Sequence, residues 1–325
     1  MITNLNERNV KSLQEDIRRL VEEKNAIILV HNYQPPEVQD VADLCGDSLE
    51  LSIKASRTNA DVIVFCGVHF MAETASILCP DKKILLPVLN AGCPMADMIT
   101  AKALGEIRQK KPDAVVISYV NTTADVKAQS DICCTSANVI QVVNSVDPAA
   151  EIFMTPDKNL AQYAQKNSDR KISYWEGYCP IHNSLTPGQV MKVKKAHPEA
   201  VFIAHPECPP DVLDLADVIK STSGMLAFVS ESYKKEFIIG TEIGIIYPMS
   251  KANPGKLLIP ADPNMICREM KKIALTDIIR SLNEMQPEVK VPEEIRIKAK
   301  GAVDRMLAIP AKASRVQDSA TNCLD

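Results

Sequence analysis

The chain has 325 residues, a formal net charge of −4 and a hydrophobic content of 46%. This length exceeds the size at which a single core keeps growing, so we expect two or three domains. Because the basic residues are scattered and no window approaches about eighteen consecutive apolar residues, the composition argues against nucleic-acid binding and against a membrane span.

The N-terminal stretch, residues 1–25, has the pattern of a charged amphipathic helix without the apolar core of a signal peptide, which predicts a cytoplasmic protein. A continuous apolar run, AIILV, follows from Ala26 and ends in polar residues before a double proline. Further apolar runs begin at Asp61 (DVIVFCG) and Lys83 (KILLPVL). Runs of this kind, separated by helical stretches, predict parallel strands that are covered on both faces.

The same order of elements returns twice further along the chain. The second repeat contains AVVISYV from Ala114, EIFMTP from Glu151 and KISYWEG from Lys171, and the third contains AVFIA from Ala200, EFIIGTE from Glu236 and KLLIPAD from Lys256. The first and third repeats share a double proline and an Ala-Asp pair at equal offsets. This pattern predicts the α/β class, with three three-layer α/β/α domains that have parallel sheets and surround a central site about a pseudo-threefold axis.

The repeat also gives predicted domain boundaries. We expect three α/β domains at residues 1–92, 93–178 and 179–266. Residues 267–310 are expected to form helices that pack back on the core, and residues 311–325 a disordered polar tail.

One cysteine follows the third strand of every repeat, although the chain contains no CxxC motif. These cysteines are Cys93, Cys179 and Cys267. Disulfides are not expected in a cytoplasmic chain, and a threefold arrangement would bring the three thiols together. Three thiolates fit a [4Fe-4S] cluster with one iron open to substrate, whereas a closed zinc site normally takes four protein ligands. A cluster is therefore favoured, and zinc or plain packing remain the alternatives.

Polar residues occupy equivalent positions in the three repeats and form three columns. The columns are His31, Tyr119 and His205; Tyr33, Asn121 and Glu207; and Ser48, Ser136 and Thr222. The first two columns follow the first strand of each repeat, where parallel α/β sheets bind ligands. The third lies near predicted helix starts, where hydroxyls suit carboxylate or phosphate oxygens. His182, three residues after Cys179, either lines the same central cavity or caps a helix.

Several separated blocks of the sequence resemble the quinolinate synthase family in order and spacing. These blocks are HNYQPPEVQDVADLCGDSLELS, GVHFMAETASIL, NAGCPMADM, SYVNTTADVKAQSDICCTSAN, WEGYCPIH, HPEC, STSGM and CREM. The resemblance implies a monomer with a [4Fe-4S] cluster on three cysteines, which match Cys93, Cys179 and Cys267. It also implies an enzyme of NAD biosynthesis that condenses iminoaspartate with dihydroxyacetone phosphate to quinolinate, releasing phosphate and two waters. An aspartate oxidase or dehydrogenase would supply the iminoaspartate.

The resemblance further implies roles for individual residues. Those that match the family's binding and proton-transfer residues are Tyr33, Tyr119, His205 and Glu207. Those that match its contacts to substrate oxygens are His31, Ser48, Asn121, Ser136, Ser221 and Thr222. Some members carry a CxxCxxC run at the last ligand, which is reduced here to Cys267, so we expect no thiol–disulfide regulation at that position.

Two other classes of protein stay open on the residues alone. A redox-active iron–sulfur protein for sensing or electron transfer would use the cluster without turnover, although a fourth protein ligand is usual for that role. A zinc-stabilised binding protein would be colourless and would contain zinc.

Overall fold

The computed structural model describes residues 2–309 and contains three units of the same construction, each of which begins with a helix and continues with four strands separated by helices. The first unit consists of α1 (Ile2–Glu23), β1 (Ala26–His31), α2 (Pro36–Gln39), β2 (Leu44–Gly46), α3 (Ser48–Arg57), β3 (Val62–Cys66), α4 (His69–Leu78) and β4 (Lys83–Leu85). The second unit consists of α5 (Ala101–Lys110), β5 (Val115–Tyr119), α6 (Ala124–Lys127), β6 (Ile132–Cys134), α7 (Val139–Ser145), β7 (Ile152–Thr155), α8 (Lys158–Lys166) and β8 (Ile172–Tyr174).

A short helix, α9 (Pro180–Asn183), precedes the third unit. The third unit consists of α10 (Pro187–Ala196), β9 (Val201–Ala204), α11 (Pro210–Leu213), β10 (Val218–Ile219), α12 (Thr222–Glu231), β11 (Glu236–Gly240), α13 (Ile246–Ala252) and β12 (Leu257–Pro260). Two further helices follow it, α14 (Leu275–Glu284) and α15 (Glu293–Leu307).

Each unit forms one four-stranded parallel sheet, and the strand order is the same in all three. Across the sheets the strands run β2-β1-β3-β4, β6-β5-β7-β8 and β10-β9-β11-β12. Every residue of the inner strands β3 and β7 is buried, which explains why their sequences are continuously apolar. The predicted α/β class with three parallel sheets is confirmed.

Each sheet also contains one strand that the sequence pattern does not reveal. These strands, β2, β6 and β10, are two or three residues long and lie at the sheet edge beside the first strand of the unit. The sequence pattern assigns this region to a turn and a helical stretch, because so short a run shows no periodicity. In the fold, each short strand returns the chain to the carboxyl end of the sheet.

An aspartate at the same position of every unit ties the first strand to the segment that leads into the edge strand. In each case the carboxylate Oδ2 accepts a hydrogen bond from a backbone N–H of the first strand. The three pairs are Asp43 with Ile28 at 2.7 Å, Asp131 with Val116 at 2.8 Å, and Asp217 with Phe202 at 2.8 Å. We call these three residues the sheet aspartates. They account for the Ala-Asp pair that the first and third repeats share.

The last two helices pack against the units. α14 lies against α1, and α15 packs on α4, α6 and β6, so it contacts both the first and the second unit. Every helix within residues 2–309 is too short or too polar to span a membrane. The predicted tail, residues 311–325, lies outside the described residues, and the domain boundaries remain predictions.

Candidate active site

One cavity of about 340 Å³ is lined by residues that follow the first strands of all three units. All but one of the predicted site residues line it. They are His31, Tyr33, Ser48, Cys93, Tyr119, Asn121, Ser136, Cys179, His205, Glu207, Thr222 and Cys267. The exception is Ser221, whose hydroxyl accepts a hydrogen bond from the Gly224 N–H and caps α12. Ser221 therefore lies beside the site rather than in its lining.

The three predicted ligand cysteines lie in loops after the last strand of a unit, namely after β4, β8 and β12. Cys93, Cys179 and Cys267 are half-buried free thiols. Burial raises the pKa of Cys93 to about 12 and also raises the pKa of Cys179 and of Cys267, so these thiols stay protonated in the metal-free protein. A bound metal would displace the three protons. Three soft sulfur donors on one cavity fit an iron–sulfur cluster, whereas the residues within reach of a single metal ion are Cys179, His182 and Glu207 rather than the three cysteines.

His31 and His205 occupy equivalent strand ends and share one hydrogen-bond arrangement. The Nδ1 atom of each ring accepts a hydrogen bond from the backbone N–H two residues later, at 3.2 Å from Tyr33 and 3.3 Å from Glu207. Burial lowers the pKa of each imidazole to about 3, so both rings are neutral near pH 7. A neutral ring that accepts at Nδ1 carries its proton at Nε2. Each histidine therefore has one neutral N–H donor left for a ligand.

Glu207 is the centre of the polar network and is only 3% exposed. Its Oε2 lies 2.6 Å from His182 Nδ1 and 3.9 Å from His205 Nδ1, and the Tyr119 hydroxyl donates a hydrogen bond to the carboxylate. Burial acts to raise the pKa of Glu207, but His182 and the hydrogen bonds from His182 and Tyr119 outweigh burial and hold that pKa well below its usual range. An ionised carboxylate in such a place is a candidate proton acceptor.

His182 is the site residue that the sequence left undecided. It is buried, lines the cavity from α9, and lies with Nδ1 3.2 Å from Cys179 Sγ and Nε2 2.8 Å from Thr241 Oγ1. The spacing in CPIH carried the signal, because residues three apart share one face of a helical turn. Donor atoms of Cys179, His182 and Glu207 lie within 4.8 Å of one another, so this trio could also hold a single metal ion.

Two buried tyrosines add hydroxyl groups to the cavity wall. The Tyr33 hydroxyl lies 2.6 Å from Thr241 Oγ1 and 3.2 Å from Thr222 Oγ1. Burial raises the pKa of Tyr33 and of Tyr119 well above the usual value, and the Glu207 carboxylate adds to that effect at both. Both phenols therefore stay protonated and act as hydrogen-bond donors or proton donors.

One buried amide oxygen of the cavity wall lacks a partner. In the part of the chain that the structure describes, Asn121 Oδ1 is buried and makes no hydrogen bond. Buried amide oxygens nearly always have a donor, so this oxygen points to a ligand group. Ser48 and Thr222, which also line the cavity, are the first residues of α3 and α12, where backbone N–H groups have no partner within the helix. The wall thus combines donors and acceptors that suit a ligand with carboxylate or phosphate oxygens.

Comparison with known proteins extends over nearly the whole described chain. The family model described as Quinolinate synthetase A protein matches residues 15–308, which include every residue that lines the cavity. The quinolinate synthase of Geobacter sp. (strain M21) is 54% identical over 300 residues, or 92% of this chain and 98% of that protein. The quinolinate synthase of Methanoregula boonei is 54% identical over 297 residues, covering 91% and 98%. Quinolinate synthase 1 of Methanosarcina acetivorans is 52% identical over 296 residues, covering 91% and 97%.

Proposed function

The chain belongs to the quinolinate synthetase A family and is an enzyme of NAD biosynthesis, and we propose that it condenses iminoaspartate with dihydroxyacetone phosphate to quinolinate. Phosphate and two waters are the other products, which balances the atoms of the two substrates. The observation that carries the proposal is the cavity itself, which is lined by one cysteine from the equivalent loop of each unit and by a buried, ionised Glu207. Such a site offers both a metal-binding edge and a group that accepts protons.

Cys93, Cys179 and Cys267 would hold a [4Fe-4S] cluster. When bound, the cluster supplies an open iron that acts as a Lewis acid on a hydroxyl or carbonyl oxygen of the substrate. The support is that the three thiols are free, line one cavity and come from equivalent loops. Three thiols would suffice, because the fourth iron would stay without a protein ligand.

Glu207 would accept protons during imine and enol steps of the condensation. Its carboxylate is ionised, and His182 at 2.6 Å and the Tyr119 hydroxyl hold it in place. Tyr119, which stays protonated, would return a proton to a leaving oxygen. The ring of His205 stacks on the ring of His182 with centroids 4.6 Å apart, and it would fix the orientation of His182 toward Glu207.

The remaining wall would bind the anionic substrates. His31 and His205 would donate from Nε2 to carboxylate oxygens, and the hydroxyls of Ser48, Ser136 and Thr222 would bind carboxylate or phosphate. Asn121 would find its missing donor in the substrate nitrogen or a hydroxyl. The partners would therefore be small molecules, with iminoaspartate supplied by an aspartate oxidase or dehydrogenase in the cytoplasm.

A zinc ion in place of the cluster is the second candidate for the metal. It is favoured by one observation, the cluster of donor atoms from Cys179, His182 and Glu207 within 4.8 Å. One thiol, one imidazole and one carboxylate form an acceptable zinc site with an open position. Cys93 and Cys267 would then have no ligand role.

Metal analysis separates the two candidates. The protein would be purified anaerobically and analysed for iron, sulfide and zinc, with Cys93→Ala as the test variant and Cys66→Ala as its control, since Cys66 is buried in β3 away from the cavity lining. We expect about four irons per chain, lost in Cys93→Ala and kept in Cys66→Ala, together with quinolinate formation from the two substrates. A colourless zinc protein that Cys93→Ala leaves unchanged would overturn the proposed function.

A further inference from the structure

An acidic residue stands at the same position of the second and third units, two residues after the third strand. The register pairs Val115 with Ile152 and Val201 with Phe237, so Asp157 and Glu242 are equivalent by their place in the sheet. Both side chains are buried. A buried carboxylate needs hydrogen-bond donors, and at each of these positions one donor belongs to a cavity cysteine.

The contact is the same in both units. Asp157 Oδ2 accepts a hydrogen bond from the backbone N–H of Cys179 at 3.0 Å. Glu242 Oε1 accepts one from the backbone N–H of Cys267 at 3.1 Å. The carboxylates therefore touch the two cysteines at their backbones and leave the thiols free for a ligand role.

The second oxygen of each carboxylate ties the cysteine loop to the start of a helical turn. Asp157 Oδ1 accepts a hydrogen bond from the Leu160 N–H at 2.8 Å, and Glu242 Oε2 accepts one from the Gly244 N–H at 2.7 Å. Gly244 has no space for a side chain, because a Cβ atom there would lie 2.8 Å from the backbone oxygen of Tyr33 as well as from Glu242 Oε2. Each carboxylate thus joins a cysteine loop to the end of its own sheet.

In the first unit, the cysteine loop is anchored by a residue that follows the third unit in the sequence. Val68 occupies the equivalent position there, and its side chain cannot accept a hydrogen bond. Instead, Glu269 Oε2 accepts a hydrogen bond from the Gly92 N–H at 2.8 Å, next to Cys93. Lys272 Nζ holds that carboxylate at 2.6 Å and also donates to Asn90 O at 2.7 Å. The loop that carries Cys93 is therefore anchored by the Glu269 carboxylate, which lies two residues after Cys267 in the sequence.

We propose that Asp157, Glu242 and Glu269 are positioning residues that fix the three cysteine loops for cluster binding. The proposal rests on the proposed function, because it assumes that these cysteines hold the cluster. Loops that are already ordered lose less entropy when they bind the cluster. Loss of an anchor should therefore speed the release of iron, as loss of a residue that orients a metal ligand does.

The first test measures the loops without any metal. Amide hydrogen exchange of the apoprotein would be compared for wild type, Asp157→Ala and Glu242→Ala. We expect exchange at the Cys179 amide to rise on the order of tenfold in Asp157→Ala only, and exchange at the Cys267 amide to rise by a similar factor in Glu242→Ala only. Unchanged exchange at both amides would overturn the proposal.

The second test measures iron release from the reconstituted protein to the ferrous chelator 2,2′-bipyridine. Each anchor variant should release iron about tenfold faster than wild type. Asp217→Ala is the matched control, because this sheet aspartate also accepts a backbone N–H at 2.8 Å but does not line the cavity. It should lower the melting temperature and leave iron release unchanged.

If Asp157→Ala or Glu242→Ala fails to fold, Glu269→Ala still allows the iron-release test. Glu269 is half-buried and lies outside the sheets, so its loss should leave the fold intact. It should speed iron release as much as the other two. Release at the wild-type rate in Glu269→Ala, or equally fast release in Asp217→Ala, would overturn the proposal. A protein that takes up no iron but shows the selective amide changes would overturn the proposed function and support the anchoring.

Discussion

Replacing Glu207 with glutamine tests whether an ionised carboxylate moves a proton in the reaction. The change keeps the shape of the side chain, removes its charge and leaves one acceptor oxygen. The carboxylate is 3% exposed and lies 2.6 Å from His182 Nδ1, so water cannot easily replace it as a base. A positioned base contributes about 10²- to 10⁴-fold to a rate. We therefore expect kcat to fall by that factor, or by about 3 to 5.5 kcal/mol of activation free energy.

The assay is quinolinate formation under anaerobic conditions, with the rate divided by the measured iron content. This division separates a defect in proton transfer from a defect in cluster binding. Glu236→Gln is the matched control, because Glu236 also lies near a histidine, 3.7 Å from His197 Nδ1, but starts β11 outside the cavity. Activity per cluster within about fivefold of wild type in Glu207→Gln would refute the role of this carboxylate.

Other buried groups give further predictions. The pKa of His31 is about 3 in the folded protein and about 6.5 unfolded, so the unfolded chain binds the proton first. His31 alone should cost the apoprotein about 1.4 kcal/mol of unfolding free energy per pH unit as pH falls through that window. His205 adds to the slope, because its pKa is also about 3 in the folded protein. His31→Asn should reduce the slope by the His31 share in urea titrations; an equal slope would count against burial as the cause. Tyr33→Phe should lower kcat/KM about tenfold at constant iron content, because its hydroxyl joins two threonine hydroxyls at the cavity; unchanged kinetics would exclude that role. Lys127→Met should cost about 1 to 3 kcal/mol in denaturant unfolding, because the fully buried Nζ donates to Thr122 O; a neutral effect would show that this oxygen finds another donor.

The repeated part of the site could be predicted from the sequence because equal offsets mark equal places in three sheets. Apolar runs that end in polar residues identified His31 and His205. One cysteine after the last apolar run of each repeat, which forms β4, β8 or β12, identified the candidate ligands. The structure brings these residues to one cavity. The reason is physical, since the carboxyl ends of parallel strands share one edge of the sheet.

The unrepeated part could not be predicted in this way. Asp157 and Glu242 differ in type, and the first unit has Val68 at their position, so no column of like residues marks them. Glu269 acts across units, which no pattern within one repeat can indicate. Residue spacing suggested His182 but could not show that its ring meets Glu207 from another unit. These contacts depend on how the units pack and not on local periodicity.

The sheet aspartates have a consequence for the order in which the protein matures. Each sheet is fastened by a residue of its own unit, so we expect each unit to form its sheet as soon as the ribosome has released it. The third cysteine, Cys267, emerges only after β12. A growing chain therefore holds at most two of the three thiols until every strand of its last sheet has been made. Binding of a cluster to all three cysteines would then begin only once the third sheet can form.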